Sequence, residues 1–298
     1  MKQNCVFGHG KYRYQRIENW AKVPEFFVMD DPVDLAVDSL DRIYVASRGN
    51  HPVLIFDREG NFVSCWGEGY FLDPHGIYVG PDDSVYVTDS QTHTVEKLTP
   101  GGKFLGLRLG TRNRATDLED REPFNKPTSL SLGPKGDMFV CNGYGNFLIH
   151  KFSPDGRLLK TWGEYGKGPG QFTLPHKLDV DRHGVVYVCD RNNDRVQLFT
   201  SDGEFVGMWT EFCQPQDLCI DKKDDVVYVV EGQRNPPCQP RISVRDLKGN
   251  VLSEFGGRES EGKGPLEVSH SICVDSHGDL YIGDIVTKKR IQKFIRVS

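Results

Sequence analysis

The sequence lacks the features that mark membrane and secreted proteins. Its 298 residues contain no apolar run long enough to span a bilayer, and the N-terminal segment MKQNCVFGHGKYRYQ has no sustained apolar stretch after its basic residue. We therefore expect no membrane partner, no secretory signal and a cytoplasmic location.

Clustered charge and closely paired cysteines are lacking too. The 37 Lys and Arg residues are scattered and the formal net charge is −5, so no basic face predicts a nucleic-acid partner. The absence of any CxxC pair argues against a closed zinc knuckle and a dense disulfide framework. We expect free, largely buried thiols in a reducing cytosol at all eight cysteines: Cys5, Cys65, Cys141, Cys189, Cys213, Cys219, Cys238 and Cys273.

What the sequence has instead is a sixfold internal repeat. Each unit opens with a short alternating strand, crosses a Gly/Asp turn into a second strand of the form xVYVxD, and continues through a third and a fourth strand. The first strands begin at residues 33, 75, 128, 176, 216 and 270, a spacing typical of four-stranded propeller blades. The sequence therefore predicts an all-β, six-bladed β-propeller, and its repeat resembles the NHL type.

The two ends of the chain predict how the ring closes. The sixth unit ends at Ser298 after three strands, whereas KYRYQRIENW near the N-terminus belongs to no unit. We predict one domain over residues 1–298, with a closing strand and lead-in at 1–31 and six blades at 32–298. The closing strand would complete the last blade and protect its edge. The longest loops, 112–125 and 258–267, could shape a site.

Histidine occupies the first position of alternate inner strands. In a ring of six blades, neighbours are related by about 60° around the central channel, so blades two, four and six lie about 120° apart. Histidines at equal depth in those blades would converge on one axis. The aligned residues are Val33, His75, Thr128, His176, Gln216 and His270.

Convergence of three imidazoles predicts a metal site with an open position. Zinc is the favoured ion, and three imidazoles also suit iron or copper. The plainer alternative is that these histidines fill the channel mouth or hydrogen-bond to water. The other six histidines do not share the phase and are interpreted as turn or solvated residues: His9, His51, His93, His150, His183 and His277.

The segments around the three histidines resemble the lyase domain of the peptide-amidating enzymes, the peptidyl-α-hydroxyglycine amidating lyases. The resemblance runs from about residue 32 to the C-terminus, and its specific motifs are the histidine phase, SRG at 47–49 and NGYGN at 142–146. It implies a zinc ion held by His75, His176 and His270. It also implies cleavage of a carbinolamide, R–CO–NH–CH(OH)–COO⁻, into an amide and glyoxylate.

The same resemblance implies roles for three further residues. Tyr144 matches the tyrosine proposed as the family's general base, and Arg48 and Arg191 match two arginines near the substrate. A tyrosine accepts a proton only where a metal or an arginine favours its phenolate, and arginine suits a carboxylate. The plainer alternatives are a turn aromatic at 144, a loop charge at 48, and a solvated bridge from Arg191 to Asp190 or Asp194.

Repeated aspartates and several departures from the family complete the predicted site. Asp89, Asp190 and Asp284 close second strands and are expected to hold turns or to orient the histidines. Ser271 stands where the family has an acidic residue that helps bind a structural calcium, so calcium is doubtful here. Val268 and Asn142 replace a methionine and an aspartate, which implies a different pocket. Positions of the family's half-cystines, absent here, are Asn125, Gly145, Tyr187 and Leu198.

These observations favour a metal-dependent lyase that cleaves the C–N bond of a small α-hydroxy amide, with a carboxylate on the substrate. Because a cytoplasmic enzyme would not meet hormone precursors, we do not expect the family's peptide substrate. A hydrolase or hydratase of a small acid, ester or nitrile on the same three histidines is the first alternative. A non-enzymatic propeller that binds protein partners is the second.

Overall fold

The computed structural model describes residues 5–25, 27–117, 124–232 and 238–297. Within these ranges the chain forms 25 strands and a single 3-10 turn at Arg191–Asn193. Five sheets have four antiparallel strands each and a sixth has five. The predicted six-bladed propeller is confirmed.

The N-terminal hairpin and the first three blades contain fourteen strands. These are β1 Val6–His9 and β2 Tyr12–Ile17; β3 Pro32–Val37, β4 Ile43–Ser47, β5 Val53–Phe56 and β6 Phe62–Trp66 in blade one; β7 Pro74–Val79, β8 Val85–Asp89, β9 Thr94–Leu98 and β10 Phe104–Leu109 in blade two; and β11 Ser129–Leu132, β12 Met138–Asn142, β13 Leu148–Phe152 and β14 Leu158–Trp162 in blade three.

Blades four to six contain the other eleven. These are β15 Pro175–Val180, β16 Val186–Asp190, β17 Arg195–Phe199 and β18 Phe205–Trp209 in blade four; β19 Pro215–Asp221, β20 Val226–Glu231, β21 Arg241–Asp246 and β22 Val251–Gly256 in blade five; and β23 Ser269–Val274, β24 Leu280–Asp284 and β25 Arg290–Val297 in blade six.

Burial explains the composition of each strand. The second strand of every blade is buried along its whole length, as in β8 and β16, because neighbouring blades cover both of its faces. These strands consist largely of β-branched and aromatic residues, which pack well on a pleated surface that is covered on both sides. The outermost strands, such as β14 and β18, are half exposed and carry polar residues or glycine.

The N-terminus closes the ring as predicted. β2 pairs antiparallel with β25 from Arg13 opposite Val297 to Ile17 opposite Lys293, which completes blade six. β1, which the repeat did not predict, adds a fifth strand outside β2. The backbone N–H of His9 donates to Ser253 Oγ at 2.8 Å, so the hairpin is also tied to blade five.

Tryptophan packed on glycine locks four of the blade interfaces. Each tryptophan lies at or just after the end of an outer strand, against a hairpin glycine of the next blade. A Cβ added to Gly102 would lie 2.6 Å from the ring of Trp66, and one added to Gly249 would lie 2.4 Å from Trp209. Both glycines also have positive φ, so a side chain there would be both strained and blocked. Trp162 on Gly203 and Trp20 on Gly60 repeat the arrangement.

One disulfide corrects the cysteine prediction. Cys213 and Cys238 are bonded, with Cα atoms 5.7 Å apart, so these two thiols are not free. The pair lies in loops of blade five outside the repeated strands, which is why the repeat gave no sign of it. Disulfides persist in oxidising compartments, so this bond does not fit the predicted reducing cytosol. The other six cysteines are free.

No helix in the described ranges is long and apolar enough to cross a membrane. Of the two loops expected to shape a site, residues 118–123 of the first lie outside the described residues. The second, 258–267, is held on blade six, where Glu259 accepts from Arg16 at 3.1 Å and forms an ion pair with Arg290 at 2.7 Å.

Candidate metal centre and active site

A β-bulge turns the aligned residue of the inner strand toward the axis. In blade two the register passes from Pro74 opposite Asp89 to Gly76 opposite Thr88, so His75 has no partner on β8. The same skip occurs at the aligned residue of blades one, four, five and six. A bulge leaves one residue unpaired and re-aims its side chain. The five bulged residues are Val33, His75, His176, Gln216 and His270.

The sequence contains a signal for this geometry. Proline precedes the aligned residue in five of the six blades, and serine in the sixth. Proline cannot donate to a sheet ladder and favours strand starts and bulges. The repeated proline therefore marks the place where each inner strand enters the channel.

The three histidines meet on the axis. Their ring centroids are 4.9 Å apart for His75 and His176, 4.9 Å for His176 and His270, and 5.5 Å for His75 and His270. One ring nitrogen from each lies within 4.8 Å of the others. All three side chains are buried, with 2–3% of each residue exposed. The structure therefore brings together the three residues predicted to bind a metal.

Each ring is oriented by a backbone carbonyl of the next blade. His75 Nδ1 donates to the carbonyl oxygen of Thr128 at 2.8 Å, His176 Nδ1 to that of Gln216 at 2.6 Å, and His270 Nδ1 to that of Val33 at 2.7 Å. Because a carbonyl only accepts, Nδ1 carries the proton, and the lone pair of the neutral ring lies on Nε2. This outer contact is common in metal-binding histidines.

Burial keeps the rings neutral. Loss of solvation, with the nearby Arg48 charge, lowers the pKa of His75 to about 3. Loss of solvation also lowers the pKa of His176 and of His270 well below the ordinary value, with further contributions from Arg191 and His75 respectively. Three Nε2 lone pairs therefore face one another in a buried space.

The donor set fits a metal ion. Tyr144 Oη lies 2.8 Å from His75 Nε2 and 3.1 Å from His176 Nε2, yet a hydroxyl has one proton and can donate to only one of them at a time. Tyr144 alone therefore cannot satisfy all three Nε2 lone pairs at once. A cation bound by three imidazoles, with a further position open, is the arrangement of catalytic zinc sites.

Close backbone packing places Tyr144. The chain after β12 passes so near its neighbours that a Cβ on Gly143 would lie 2.0 Å from the carbonyl oxygen of Pro175, and one on Gly145 would lie 2.3 Å from Asn125. The backbone N–H of Tyr144 donates to the carbonyl oxygen of Lys126 at 3.2 Å. Only glycine fits on either side of the tyrosine, so the GYG sequence fixes the hydroxyl beside the histidines.

The two predicted arginines reach the same place. Arg48 Nε donates to Asp73 at 2.9 Å, and its guanidinium also interacts with the Tyr144 hydroxyl. The Arg191 guanidinium carbon lies 5.9 Å from the centre of the Tyr144 ring, and Nη1 lies 3.4 Å from Gln216 Oε1. Asp190, considered as a partner for Arg191, instead pairs with Arg195 at 2.9 Å.

Asp89 and Asp190 hold turns, which confirms for these two the first of the roles predicted for the repeated aspartates. Asp89 accepts from the backbone N–H of Leu72 at 2.7 Å, and Asp190 from those of Thr173 and Leu174 at 3.0 and 3.1 Å. These contacts anchor the chain just before each histidine strand. The other predicted role, orientation of the histidine rings, is performed by the backbone carbonyls of Thr128, Gln216 and Val33.

The residues that depart from the family have structural contacts. Ser271 Oγ donates to the carbonyl oxygen of Pro32 at 3.2 Å. Asn142 Oδ1 accepts from the backbone N–H of Asn125 at 2.9 Å, in the way that Asp89 acts in blade two. Val268 packs in the hydrophobic cluster between blades one and two.

A second polar layer, missed at the level of sequence, lies one residue deeper in the channel. Lys177 Nζ is 2.6 Å from both carboxylate oxygens of Asp34 and 3.5 Å from Asp217 Oδ1. Although burial lowers the pKa of Lys177, the two aspartates raise it more, so the ammonium stays charged. These three residues directly follow the aligned positions of blades four, one and five, which was the available signal.

The chain is similar to known repeat proteins and lyases. The NHL repeat model matches residues 71–98 and 172–199. NHL repeat-containing protein 3 of Homo sapiens is 32% identical over 97% of this chain and 86% of its own. The probable peptidyl-α-hydroxyglycine α-amidating lyase pgal-1 of Caenorhabditis elegans is 32% identical over 79% of this chain and 68% of its own.

The chain belongs to the NHL-repeat propeller family that includes these proteins. A solved gluconolactonase from Xanthomonas campestris superposes with a TM-score of 0.66 over 96% of this chain and 90% of its own at 13% identity. At that identity the likeness concerns the fold alone. Within the NHL-repeat family, the relatives include proteins named for a lyase activity and proteins named only for their repeat.

Proposed function

We propose that this NHL-repeat protein is a metal-dependent lyase that cleaves the C–N bond of an α-hydroxy amide bearing a carboxylate. The observation that carries the proposal is the convergence of three neutral Nε2 lone pairs with the Tyr144 hydroxyl and two arginines. The relatives named as amidating lyases support the reaction class.

His75, His176 and His270 would hold the ion. A bound Zn²⁺ would supply Lewis acidity, which makes a nearby hydroxyl group more acidic. Tyr144, whose Oη lies 2.8 Å from His75 Nε2, is the residue that we propose moves the proton. In the proposed reaction Tyr144 Oη takes the proton of the substrate hydroxyl, the C–O bond becomes a carbonyl as the C–N bond breaks, and the nitrogen recovers that proton from Tyr144. Amide and glyoxylate balance the substrate without water or a redox partner.

The arginines have two tasks in this proposal. The Arg48 guanidinium beside Tyr144 favours the phenolate form, because an adjacent positive charge stabilises the anion. We propose that Arg191, whose guanidinium carbon lies 5.9 Å from the centre of the Tyr144 ring, binds the substrate carboxylate. We therefore propose that the substrate is oriented with its carboxylate toward blade four.

The size of the substrate is a separate part of the proposal. A small α-hydroxy amide was favoured because a cytoplasmic enzyme would not meet hydroxyglycine-extended peptides. The Cys213–Cys238 disulfide weakens that reason, since it favours an oxidising compartment. Both a small carbinolamide and a short hydroxyglycine-extended peptide therefore belong among the substrates to be tested.

The test combines metal analysis with glyoxylate release. We expect the wild type to retain a metal ion at the central site and to release glyoxylate, and His176→Ala to lose that ion and at least 100-fold in kcat/KM. His183→Ala is the matched control, because His183 is exposed in a repeat turn and should retain both properties. Glyoxylate release at the wild-type rate by His176→Ala would contradict the proposal.

A hydrolase or hydratase on the same histidines is the second candidate, favoured by the same open position. It predicts oxygen from water in the product, whereas the lyase moves only the oxygen already in the substrate. Reaction in ¹⁸O-labelled water, with correction for exchange of the glyoxylate carbonyl, separates the two. A propeller that acts only as a scaffold predicts that His176→Ala leaves every binding property unchanged.

A further inference from the structure

A second group of metal-ligating side chains lies on blade one, outside the central channel. His51 is in the connection between β4 and β5, Cys65 is in β6, and Glu68 follows β6. This is the same face as the central histidines, because Ser47 at the end of β4 pairs with Pro32, the neighbour of Val33.

The three side chains converge on one point. His51 Nδ1 lies 2.9 Å from Glu68 Oε1 and 3.8 Å from Cys65 Sγ. The three ligand atoms all lie within 4.8 Å of one another. Zinc bonds of about 2.0 Å to nitrogen or oxygen and about 2.3 Å to sulfur can be reached with a small widening between Nδ1 and Oε1.

The geometry argues against a nucleophilic cysteine. In a cysteine–histidine–carboxylate triad, the thiol and the carboxylate bind opposite nitrogens of the imidazole, so that one orients the ring while the other loses its proton. Here both approach the same atom, His51 Nδ1. Convergence on a single nitrogen is the pattern of ligands around a shared cation.

The residues around His51 support its ring and leave the cluster open to solvent. The His51 ring lies against Phe27, with centroids 3.9 Å apart, and Phe27 contacts Phe62 of β6 at 5.1 Å. The ring therefore has an apolar support. His51 and Cys65 are half-buried and Glu68 is exposed, so an ion and a fourth ligand from solvent can enter.

We propose that His51, Cys65 and Glu68 form a second metal site for a borderline-soft divalent cation of the Zn²⁺ class. On binding, the Cys65 S–H loses its proton and the thiolate, imidazole and carboxylate occupy three positions, with water in the fourth. The ion cross-links the β4–β5 connection to β6. Arg48 lies three residues before His51, so this link also steadies the loop that carries a candidate substrate-binding residue.

Cobalt(II) distinguishes this site from the central one, because only a thiolate ligand gives a sulfur-to-cobalt charge-transfer band in the near ultraviolet. The central site has three imidazoles and no thiol. We expect two Co²⁺ per wild-type chain with the band, one without the band in Cys65→Ser, and one with the band in His176→Ala. Cys5→Ser, which removes an exposed thiol elsewhere, is the matched control and should keep both ions and the band.

A band that survives in Cys65→Ser, or Co²⁺ loading of the wild type without a band, overturns the proposal. Glu68→Gln provides a second variant at an exposed position that should not disturb folding. We expect it to keep the band and to weaken Co²⁺ binding at this site at least tenfold; unchanged affinity would remove Glu68 as a ligand and overturn the three-ligand site. The His176→Ala result also separates this proposal from the lyase, which can fail independently.

Discussion

Two adjacent layers of the central channel bury polar side chains in opposite ways, one with neutral groups and the other with an ion pair. The upper layer consists of three neutral imidazoles, with lone pairs that face one another and one hydroxyl proton between them. The layer below it has two buried aspartates and its own cation, Lys177, with Nζ 2.6 Å from Asp34. The difference lies in the source of positive charge: the lower layer contains its own cation, whereas the three imidazoles of the upper layer are a group that could hold a metal ion.

The largest expected difference between the two layers is the response of stability to acid in the metal-free protein. The pKa values of the three histidines are lowered by burial, so unfolded rings take up protons below pH about 6.5 while folded rings do not. Their contribution to stability is therefore complete above that pH and is lost as pH falls toward 3. We expect the free energy of unfolding to drop by up to about 4 kcal/mol per pH unit, or about 1.4 per ring, in chelator-treated protein.

Denaturant titrations across pH 3–8 measure this effect. The lower layer has the opposite sign, because burial raises the pKa of Asp217 to about 8, so its contribution is present at low pH and is lost as pH rises toward 8. Asp217→Asn removes this opposing slope between pH about 4 and 8, so the curve should flatten between pH about 6.5 and 8 and the acid limb should become steeper. An acid limb absent from metal-free wild type would remove the distinction between the layers.

Removing the internal cation should break the lower layer. Lys177→Met leaves Asp34 buried without its partner, and loss of one member of a buried ion pair costs about 3–5 kcal/mol. Denaturant unfolding at pH 7 measures the loss. Lys222→Met is the control, because Lys222 is more exposed and lies 4.0 Å from Asp179; about 1 kcal/mol or less is expected there. Equal losses of unfolding free energy in the two variants would show that the buried ion pairs of Lys177 contribute no more to stability than the exposed pair of Lys222.

Removing the Tyr144 hydroxyl from the upper layer should lower the catalytic rate without lowering the stability of the protein. We expect Tyr144→Phe to lower the kcat for glyoxylate release at least 100-fold, about 2.7 kcal/mol of activation free energy. Metal content and unfolding midpoint should stay near the wild-type values. Full activity of this variant would exclude Tyr144 from the proton transfer. A loss of metal instead would make it a ligand-positioning residue.

The smallest effect is expected where a side chain changes but the orienting carbonyl stays. Thr128→Val keeps the carbonyl oxygen that accepts from His75 Nδ1 and removes weak hydroxyl contacts to Pro175 and Cys141 at 3.2 and 3.4 Å. We expect about 1 kcal/mol of destabilisation and unchanged metal affinity, measured by competition with a chelator. Loss of the metal ion in this variant would show that the Thr128 side chain, rather than its backbone carbonyl, determines the orientation of the His75 ring.

Much of the fold and of the candidate site was predictable, because the position of a residue within its repeat unit predicts its position in the propeller ring. The phase of His75, His176 and His270 predicted their meeting point, since one repeat unit is one blade. Tyr144, Arg48 and Arg191 were predicted from family motifs, and the structure places all three beside the histidines.

Two of the errors and omissions have the opposite property, because they involve contacts within a single blade for which the repeat has no pattern. The Cys213–Cys238 disulfide joins two loops of blade five, and the cluster with His51 joins a loop of blade one to β6. His51 was interpreted as a solvated or turn residue because nothing in its own segment indicates that Cys65 and Glu68 lie opposite.

The sequence by itself determined the number of blades, the closing strand and the alternation of histidine around the ring, because each depends on periodicity and on residues near one another in the chain. Only the tertiary structure decided the protonated nitrogen of each ring, the partners of Lys177 and the packing around Tyr144. Those depend on contacts between blades, such as His270 with Val33, 237 residues apart. Such contacts exist only after the ring has closed and the two strands have been brought into register.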